Sequence, residues 1–570
     1  MSARLRLALA AADAARVDAV IEHARRDAWA QRLMDRDTSL WSSDAAAQAE
    51  IAQRFGWLDA PEHFAAEAPE LEAFGDGIRV AGFSTAVVMG MGGSSLAPEV
   101  LHRTFGTADG YLDLRILDTT DPAGVAAVVD DLDPLQTLWI VASKSGTTTE
   151  PLAFQADRWA AVDQALRERG SGQKPGEFFV AITDPGKSLE AIPHHDDLRE
   201  WFLNLPTVGG RYSALTYVGL VPGSLIGLDL DSLLASADAT LGQCREPDPA
   251  RNPGLQLGIA IGELARGGRD KLTLLPDEPI ASFGSWLEQL LAESTGKQGT
   301  GILPVDREPL LDPKRYGPDR AFVRLALAGS HDAARDELAT AVAGLGHPVI
   351  DIEIDDPMDL GGEFVRWEVA TAIAGAVLGI DAFDQPNVEE AKELTRKVLA
   401  EAGRGGAKAG SPDPQALGVA SLGIDGTADR LRATLAGARP PGYVAIQAFI
   451  APGATRDAGI ERLRRSLATT GCATTAGYGP RFLHSTGQLH KGGPATGVFL
   501  QLTSGHPADR PIPGWPYTFG QLIDAQARGD REAIAAHGRP IVHVDLGPDL
   551  DAGLDTLGAA VERALGQPLT

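Results

Sequence analysis

The sequence predicts an α/β protein built on doubly wound parallel sheets, and three observations carry that expectation. From about residue 83 onward, short apolar, β-rich runs alternate with helix-like segments, the pattern of strands joined by helical crossovers. Several of these runs end in Gly- and Ser-rich turns, as where a parallel strand hands over to a helix. The chain has 570 residues, more than one hydrophobic core accommodates, so two or three domains are expected.

The elements follow in order. Residues 1 to about 75 are rich in Ala, Asp and Arg with apolar residues at helical spacing, and read as a helical segment without strands. Its first stretch, MSARLRLALAAADAARVDAV, reads as an amphipathic helix. Residues 76–254 form a first doubly wound domain, with STAVVMG, LRILD, TLWIVAS and FFVAIT as strands. Residues 255–400 form a second, with FVRLALAG, PVIDIEI and AVLGIDAF as strands. A Gly/Ala/Pro-rich stretch over 401–420 reads as a linker. Beyond it, residues 421–570 form a C-terminal α/β section, with YVAIQAFI, GVFLQLT and IVHVDL as strands, that packs with the second domain and completes it.

Composition excludes several classes of function. A formal charge of −26 opposes binding to a phosphate backbone, so nucleic acid is not an expected partner. Two cysteines, Cys244 and Cys472, supply neither a disulfide framework nor a thiolate zinc site. They fit a reducing, cytoplasmic location. No stretch approaches the ~20 apolar residues of a membrane span. PHHDD at 193–197 holds two adjacent histidines that point different ways, and reads as a surface loop and not as a metal site.

Chemistry is expected at the strand ends, where helix N-termini present free N–H groups. Two such turns stand out, MGGSSLAPEV after AVVMG and SKSGTTT after LWIVA. Glycine lets backbone donors approach a phosphate, and Ser and Thr hydroxyls add more. A single turn of this kind would read as helix capping; two in one domain point to a phosphate site. Nucleotide motifs do not fit. GMGGSS has Ser95 where G-x-G-x-x-G needs glycine, and AITDPGKS has Ala181 where a P-loop needs its first glycine.

These residues carry a resemblance. GMGGSSLAP and SKSGTTTEP resemble the paired phosphate loops of sugar isomerase (SIS) domains, and VGGRYSALTYVG (208–219) resembles the signature of the glucose-6-phosphate isomerase family. QLLAESTGK (289–297) is similar to that family's Q-x-x-x-E-S-x-G-K block. FDQPNVEEAK (383–392) is similar to its F-D-Q-x-G-V-E-x-x-K block, with Asn387 in place of glycine. The resemblance implies two SIS domains and reversible conversion of glucose 6-phosphate to fructose 6-phosphate through a cis-enediol(ate), without metal or other cofactor. It implies Glu293 as the base that moves a proton between C2 and C1, Arg211 as the cation beside the enediolate oxygen, and Lys392 near the ring oxygen during opening. Gln385, the third residue of the last block, falls with the substrate-binding positions.

Residue chemistry runs alongside these roles. Glu293 stands among apolar neighbours that would make a carboxylate more basic. Gln289, one helical turn earlier, shares its face and could bind substrate, or be an ordinary solvated glutamine. In the phosphate site, Ser143, Ser145 and Thr148 would donate hydroxyls, Lys144 charge or a backbone N–H, and Gly93 and Ser94 would assist from the neighbouring loop.

A ring-opening histidine is missing from its usual place between the Glu and Lys blocks, where only His331 and His347 occur, both in turns. RFLHSTGQLHKGG (481–493) has the family's H-x-x-x-Q pattern and precedes a strand-like run. This order resembles the isomerase half of fused transaldolase/glucose-6-phosphate isomerase proteins, but 570 residues leave no room for a second barrel of ~250, so a stand-alone isomerase of that type is expected. His484 is the candidate acid/base, with His490 and Lys491 as competitors; read as one helix, the segment puts His484 and Gln488 on one face. The chain is then a homodimer, or a monomer if His484 acts in cis. An isomerase for another 6-substituted hexose (mannose 6-phosphate or a 6-sulfo sugar), or a non-catalytic sugar-phosphate-binding regulator, fits the same loops.

Overall fold

The structure is a computed structural model that describes residues 4–330, 332–402 and 415–567. Most of the expected linker, and His331, lie outside the described residues. Among the described residues, three five-stranded sheets organise the fold, each parallel except for one edge strand of the second. In the first sheet the spatial order is Asp113–Leu117, Thr85–Gly90, Thr137–Ala142, Phe179–Thr183, Glu200–Leu203. The strands Thr85–Gly90 and Thr137–Ala142 are buried along their whole length, as strands covered by helices on both faces must be.

This order is 2-1-3-4-5 in chain sequence. Its topological switch point lies between the first and third strands, and the crevice beyond their carboxyl ends is where doubly wound sheets bind ligands. The two Gly/Ser/Thr turns leave those two strands. Each opens a helix, Gly93–Phe105 and Thr149–Glu168 respectively.

The second sheet runs Arg4–Ala8, Val349–Ile354, Arg320–Leu327, Lys271–Pro276, Leu303–Val305. Its edge corrects the expected N-terminal helix: Arg4–Ala8 is a strand, antiparallel to Val349–Ile354. The stretch alternates, with Leu5 and Leu7 half-buried and Arg4, Arg6 and Ala8 exposed, and Arg4 faces Glu353 and Arg6 faces Asp351 across the ladder. Cross-strand charge pairs and a period of two outweigh the helical composition. AVLGIDAF is also corrected. It is the end of the buried helix Leu360–Leu378 and the turn after it, closed by Gly379 in the left-handed region. An apolar run of this length does not distinguish a buried helix from a buried strand.

The C-terminal section carries a sheet of its own, in the order Leu417–Gly418, Ile541–Asp545, Gly497–Thr503, Tyr443–Phe449, Ala473–Tyr478. It meets the second domain through a shared apolar cluster in which Ala292, Leu303 and Val305 pack with Tyr443, Ala473 and Leu489. A long excursion after Thr503 reaches the first domain: Arg510 bonds Asp157 at 2.9 Å and Asp130 at 2.7 Å, and Phe519 stacks on Phe154. In this way the last section is held against the helices of the first domain. Among the described residues, no helix is long and apolar enough to cross a membrane.

The competitors of His484 lie in this core. The His490 ring packs among Tyr443, Phe482 and Phe499, with Gln447 Nε2 at 3.3 Å from Nδ1. Lys491 Nζ donates to buried Asp530 at 2.7 Å. Burial, and then the Lys491 charge, push the His490 imidazolium down from its ordinary 6.5 to about 3. Between those values the unfolded chain binds a proton that the folded chain refuses, so this contribution to stability is complete above pH 6.5 and falls as pH drops toward 3. At pH 4.5 the loss is about 3 kcal/mol. His490→Gln is therefore expected to shrink the stability difference between pH 7 and pH 4.5, measured by urea unfolding, by about that amount; an unchanged difference would show that His490 does not titrate in this range.

Candidate functional site

The site is assembled from six segments. The first Gly/Ser loop packs at backbone distance on the Gly209–Arg211 turn: a Cβ on Gly93 would sit 1.9 Å from the Gly210 carbonyl oxygen, so only glycine fits. Next to it, a Cβ on Gly92 would lie 2.8 Å from Gln289 Nε2 and 3.1 Å from His484 Cβ. The loop therefore touches the arginine turn, the Glu293 helix and the histidine segment together. These glycines let protein segments approach one another, a different use from the approach to ligand expected of them. Ser94 is half-buried at the start of its helix.

In the second loop, Ser143 is buried and donates its hydroxyl to Thr148 Oγ1 at 3.0 Å; Ser145 and Thr147 pair at 2.9 Å on the exposed side. Thr148 is the residue that precedes the helix Thr149–Glu168. Lys144 corrects one expectation. Its ammonium turns away to Asp184 Oδ2 at 2.5 Å and the Pro206 carbonyl at 2.9 Å, so its charge is already balanced and is not what this loop offers an anion.

Arg211 is almost fully buried, at 3 % exposure. Its guanidinium donates to Ser294 Oγ at 2.6 Å, Gln385 Oε1 at 2.9 Å, Ala382 O at 2.7 Å and Asp384 O at 3.1 Å. Those bonds aim it, and Nη1 then lies 3.7 Å from Glu293 Oε1. Behind it, Tyr212 stacks on Trp57, and Trp41 packs on Phe383 while donating to the Ala372 carbonyl at 2.7 Å. The N-terminal segment thus backs the arginine turn. Lys297, also buried, donates to Asp381 O at 2.7 Å and Asp384 O at 2.6 Å and pairs with the Asp384 carboxylate. Burial, and then the nearby Arg211 charge, bring its ammonium down to about 8.

Glu293 stands on the helix Phe283–Thr295, 9 % exposed. Gln289 Nε2 donates both to Glu293 Oε2 at 3.1 Å and to the His484 carbonyl at 2.8 Å. Gln289 therefore bridges the carboxylate and the histidine segment, where a substrate contact or a solvated side chain was expected.

His484 reaches the site from its own chain. Its Nε2 lies 3.4 Å from Glu150 Oε1, and Glu150 also accepts from Gln526 Nε2 at 2.6 Å, whose Oε1 accepts from Thr120 at 2.7 Å. Burial works to raise the Glu150 carboxyl, but the His484 hydrogen bond and charge, with the Lys392 charge behind them, hold it below the usual carboxylate range. Arg481 anchors the turn by pairing with Glu99 and, at 3.0 Å, with Asp118. The shared-face argument for His484 and Gln488 is corrected. His484 ends a short 3-10 turn, Ser485 breaks the helical backbone, and Gln488 belongs to the next helix, Gly487–Gly492.

Lys392 sits on the helix Pro386–Ala402, its Nζ 2.7 Å from Glu389 and 41 % exposed. Its charge is felt at Glu150, which places it on the histidine side of the site. Glu150, Ser294, Lys297, Arg481 and Gln526 were not singled out from sequence. Glu150 follows SKSGTTT directly, but an acid in the first turn of a helix is ordinarily read as complementing the helix dipole. Among the described residues no cluster of three or more His, Cys, Asp or Glu side chains could hold a metal ion.

Chemically, the arrangement holds a nearly buried carboxylate against a fixed guanidinium and an imidazole against an ionised carboxylate. The first pair lies by the Gly92–Gly93 loop and the second just after the hydroxyl-rich loop Ser143–Thr148, and each loop opens a helix. That is equipment for moving a proton on carbon, stabilising an oxyanion and transferring a proton to oxygen.

Known proteins resemble this chain over part of its length. The glucose-6-phosphate isomerase of Rubrobacter xylanophilus is 29 % identical over 365 residues, 56 % of this chain and 83 % of that one. That of Prochlorococcus marinus is 28 % identical over 351 residues, 55 % of this chain and 65 % of its own length. The crystal structure of hypothetical protein TT0462 from Thermus thermophilus superposes with a TM-score of 0.55 at 26 % identity, covering 70 % of this chain and all of that one. A glucose-6-phosphate isomerase from Chlamydia trachomatis shares the fold, with a TM-score of 0.50 at 23 % identity over 65 % of this chain and 77 % of its own. Residues 75–302, which carry both hydroxyl loops, Arg211, Gln289 and Glu293 and end before Gln385, Lys392 and His484, match the family model of phosphoglucose isomerase.

Proposed function

We propose that this chain interconverts glucose 6-phosphate and fructose 6-phosphate. The observation that carries the reading is the Glu293 carboxylate held 3.7 Å from the Arg211 guanidinium, beside the switch-point crevice of the first sheet. The substrate's phosphate lies on the loop Ser143–Thr148 with its hydroxyls and helix N-terminus, and Ser94 flanks it. His484, oriented by Glu150, relays the anomeric hydroxyl proton to the ring oxygen as the bond from that oxygen to the anomeric carbon breaks, with Lys392 on the same side. In the open chain, Glu293 takes the C2 proton of the aldose and returns it to C1. Arg211 stabilises the enediolate between those transfers while the hydroxyl proton passes from O2 to O1, and Gln385 holds the guanidinium in place. Every step is proton transfer and charge stabilisation, so the chain's own side chains supply the chemistry.

A coupled assay of the purified chain on fructose 6-phosphate tests the reading, with mannose 6-phosphate and a 6-sulfo hexose as comparison substrates. A higher specificity constant for either comparison sugar would reassign the substrate, and binding of fructose 6-phosphate without exchange of its carbon-bound proton would make the chain a regulator. For the phosphate loop, the Ser143→Ala, Thr148→Ala double variant is expected to raise KM about 30-fold, the charge-assisted bond from Thr148 and the Ser143 bond that orients it being lost. Binding of unphosphorylated fructose should not change. An unaltered KM would remove the phosphate from this loop.

A further inference from the structure

The Asn387 that stands where the similar block has glycine is tied to the histidine segment. Asn387 N donates to Gln488 Oε1 at 2.9 Å, and Gln488 Nε2 donates to Asn387 Oδ1 at 2.8 Å and to the Gly296 carbonyl at 3.0 Å. Gln488 is completely buried. Gly296 caps the Glu293 helix, Asn387 is the second residue of the Lys392 helix, and Gln488 lies four residues after His484. One buried amide therefore joins the three segments that carry the proposed base, the proposed lysine and the proposed imidazole. A backbone bond from Gly299 N to Gly492 O at 2.9 Å adds to the same junction.

We infer that Gln488, through its amide pair with Asn387, is a positioning residue that keeps the His484, Lys392 and Glu293 segments in register; this rests on the isomerase reading above. Gln488 lies behind the reacting groups and touches none of them. Only an amide meets the junction's demand. It needs two N–H donors, for Gly296 O and Asn387 Oδ1, and one acceptor, for Asn387 N–H. A carboxylate of the same shape would oppose two oxygens, and a leucine would leave three polar groups of the junction without this partner.

The test is steady-state kinetics of the full chain on fructose 6-phosphate for Gln488→Glu, Gln488→Leu and Asn387→Gly. The Gln488 variants are expected to lower kcat 10- to 100-fold, the scale of lost supporting hydrogen bonds at catalytic groups, with KM within about threefold because the phosphate loop lies elsewhere. Asn387→Gly keeps the backbone N–H and should lose about 3- to 10-fold in kcat. It also serves should a Gln488 variant fail to fold. A merely structural role is separated by coupling to Lys392→Ala. If Gln488 acts by placing Lys392 and His484, Gln488→Leu should cost less than about threefold in that background. Full kcat in folded Gln488→Leu or Asn387→Gly, or strictly multiplicative losses with Lys392→Ala, would overturn the inference and leave the isomerase reading standing. A wild-type chain without activity would withdraw both.

Discussion

Glu293→Gln is expected to lower kcat on fructose 6-phosphate by about 10³-fold while KM moves less than about threefold. The substitution keeps the shape of the side chain and its place beside Gln289, whose Nε2 donates to Glu293 Oε2 at 3.1 Å. What it removes is the capacity to take a proton. Because the base acts on carbon only after the ring has opened and the phosphate has bound, binding should survive. The Arg211 guanidinium, fixed by Ser294, Gln385 and the Ala382 and Asp384 carbonyls, should keep its position when its 3.7 Å carboxylate neighbour becomes an amide. The decisive measurement is exchange of the substrate's carbon-bound proton with deuterated solvent, read by NMR alongside turnover. Loss of both, with an unchanged fold, is the expected result. Turnover within tenfold of wild type would place the base elsewhere, and Glu150, the ionised carboxylate beside His484, would be the next residue to replace.

How much of this was legible in the sequence depended on whether a feature is local. The first domain's strands were readable because they are continuous apolar runs with punctuated ends, and the two hydroxyl-rich turns stood out for the same reason. Their placement at the switch point required the strand order, which depends on long-range pairing. Arg211 could be singled out from its glycines, but not the four acceptors that aim it, which come from residues 83 to 174 positions away in sequence. Lys144 shows the opposite failure. Its position in the loop suggested a charge or a backbone N–H for phosphate, and Asp184, forty residues on, claims the charge. The face argument that joined His484 to Gln488 assumed one helix, and Ser485 breaks it. The N-terminal strand was hidden because five residues of alternation were outweighed by a long Ala-rich helical pattern. In each case the local pattern suggested what a side chain can do, and a partner distant in sequence decided what it does.

His484→Ala should separate ring opening from the chemistry at carbon. On fructose 6-phosphate, which enters as a ring, the variant is expected to lose about 100-fold in kcat/KM, the usual scale for one acid/base group. An analogue lacking the 5-hydroxyl cannot close the furanose ring. It should be turned over within about threefold of the wild-type rate, since Glu293 and Arg211 remain. Glu150→Gln should show the same split at a smaller size, about 10-fold on the ring-forming sugar. It leaves the imidazole in place but removes the carboxylate that orients it at 3.4 Å. The two variants together should cost little more than His484→Ala alone, because Glu150 acts through the imidazole it orients. Equal losses on both sugars would mean that His484 serves the carbon proton transfer or simply holds the turn fixed by Arg481, Glu99 and Asp118. In that event the group that opens the ring must be sought on the Lys392 helix.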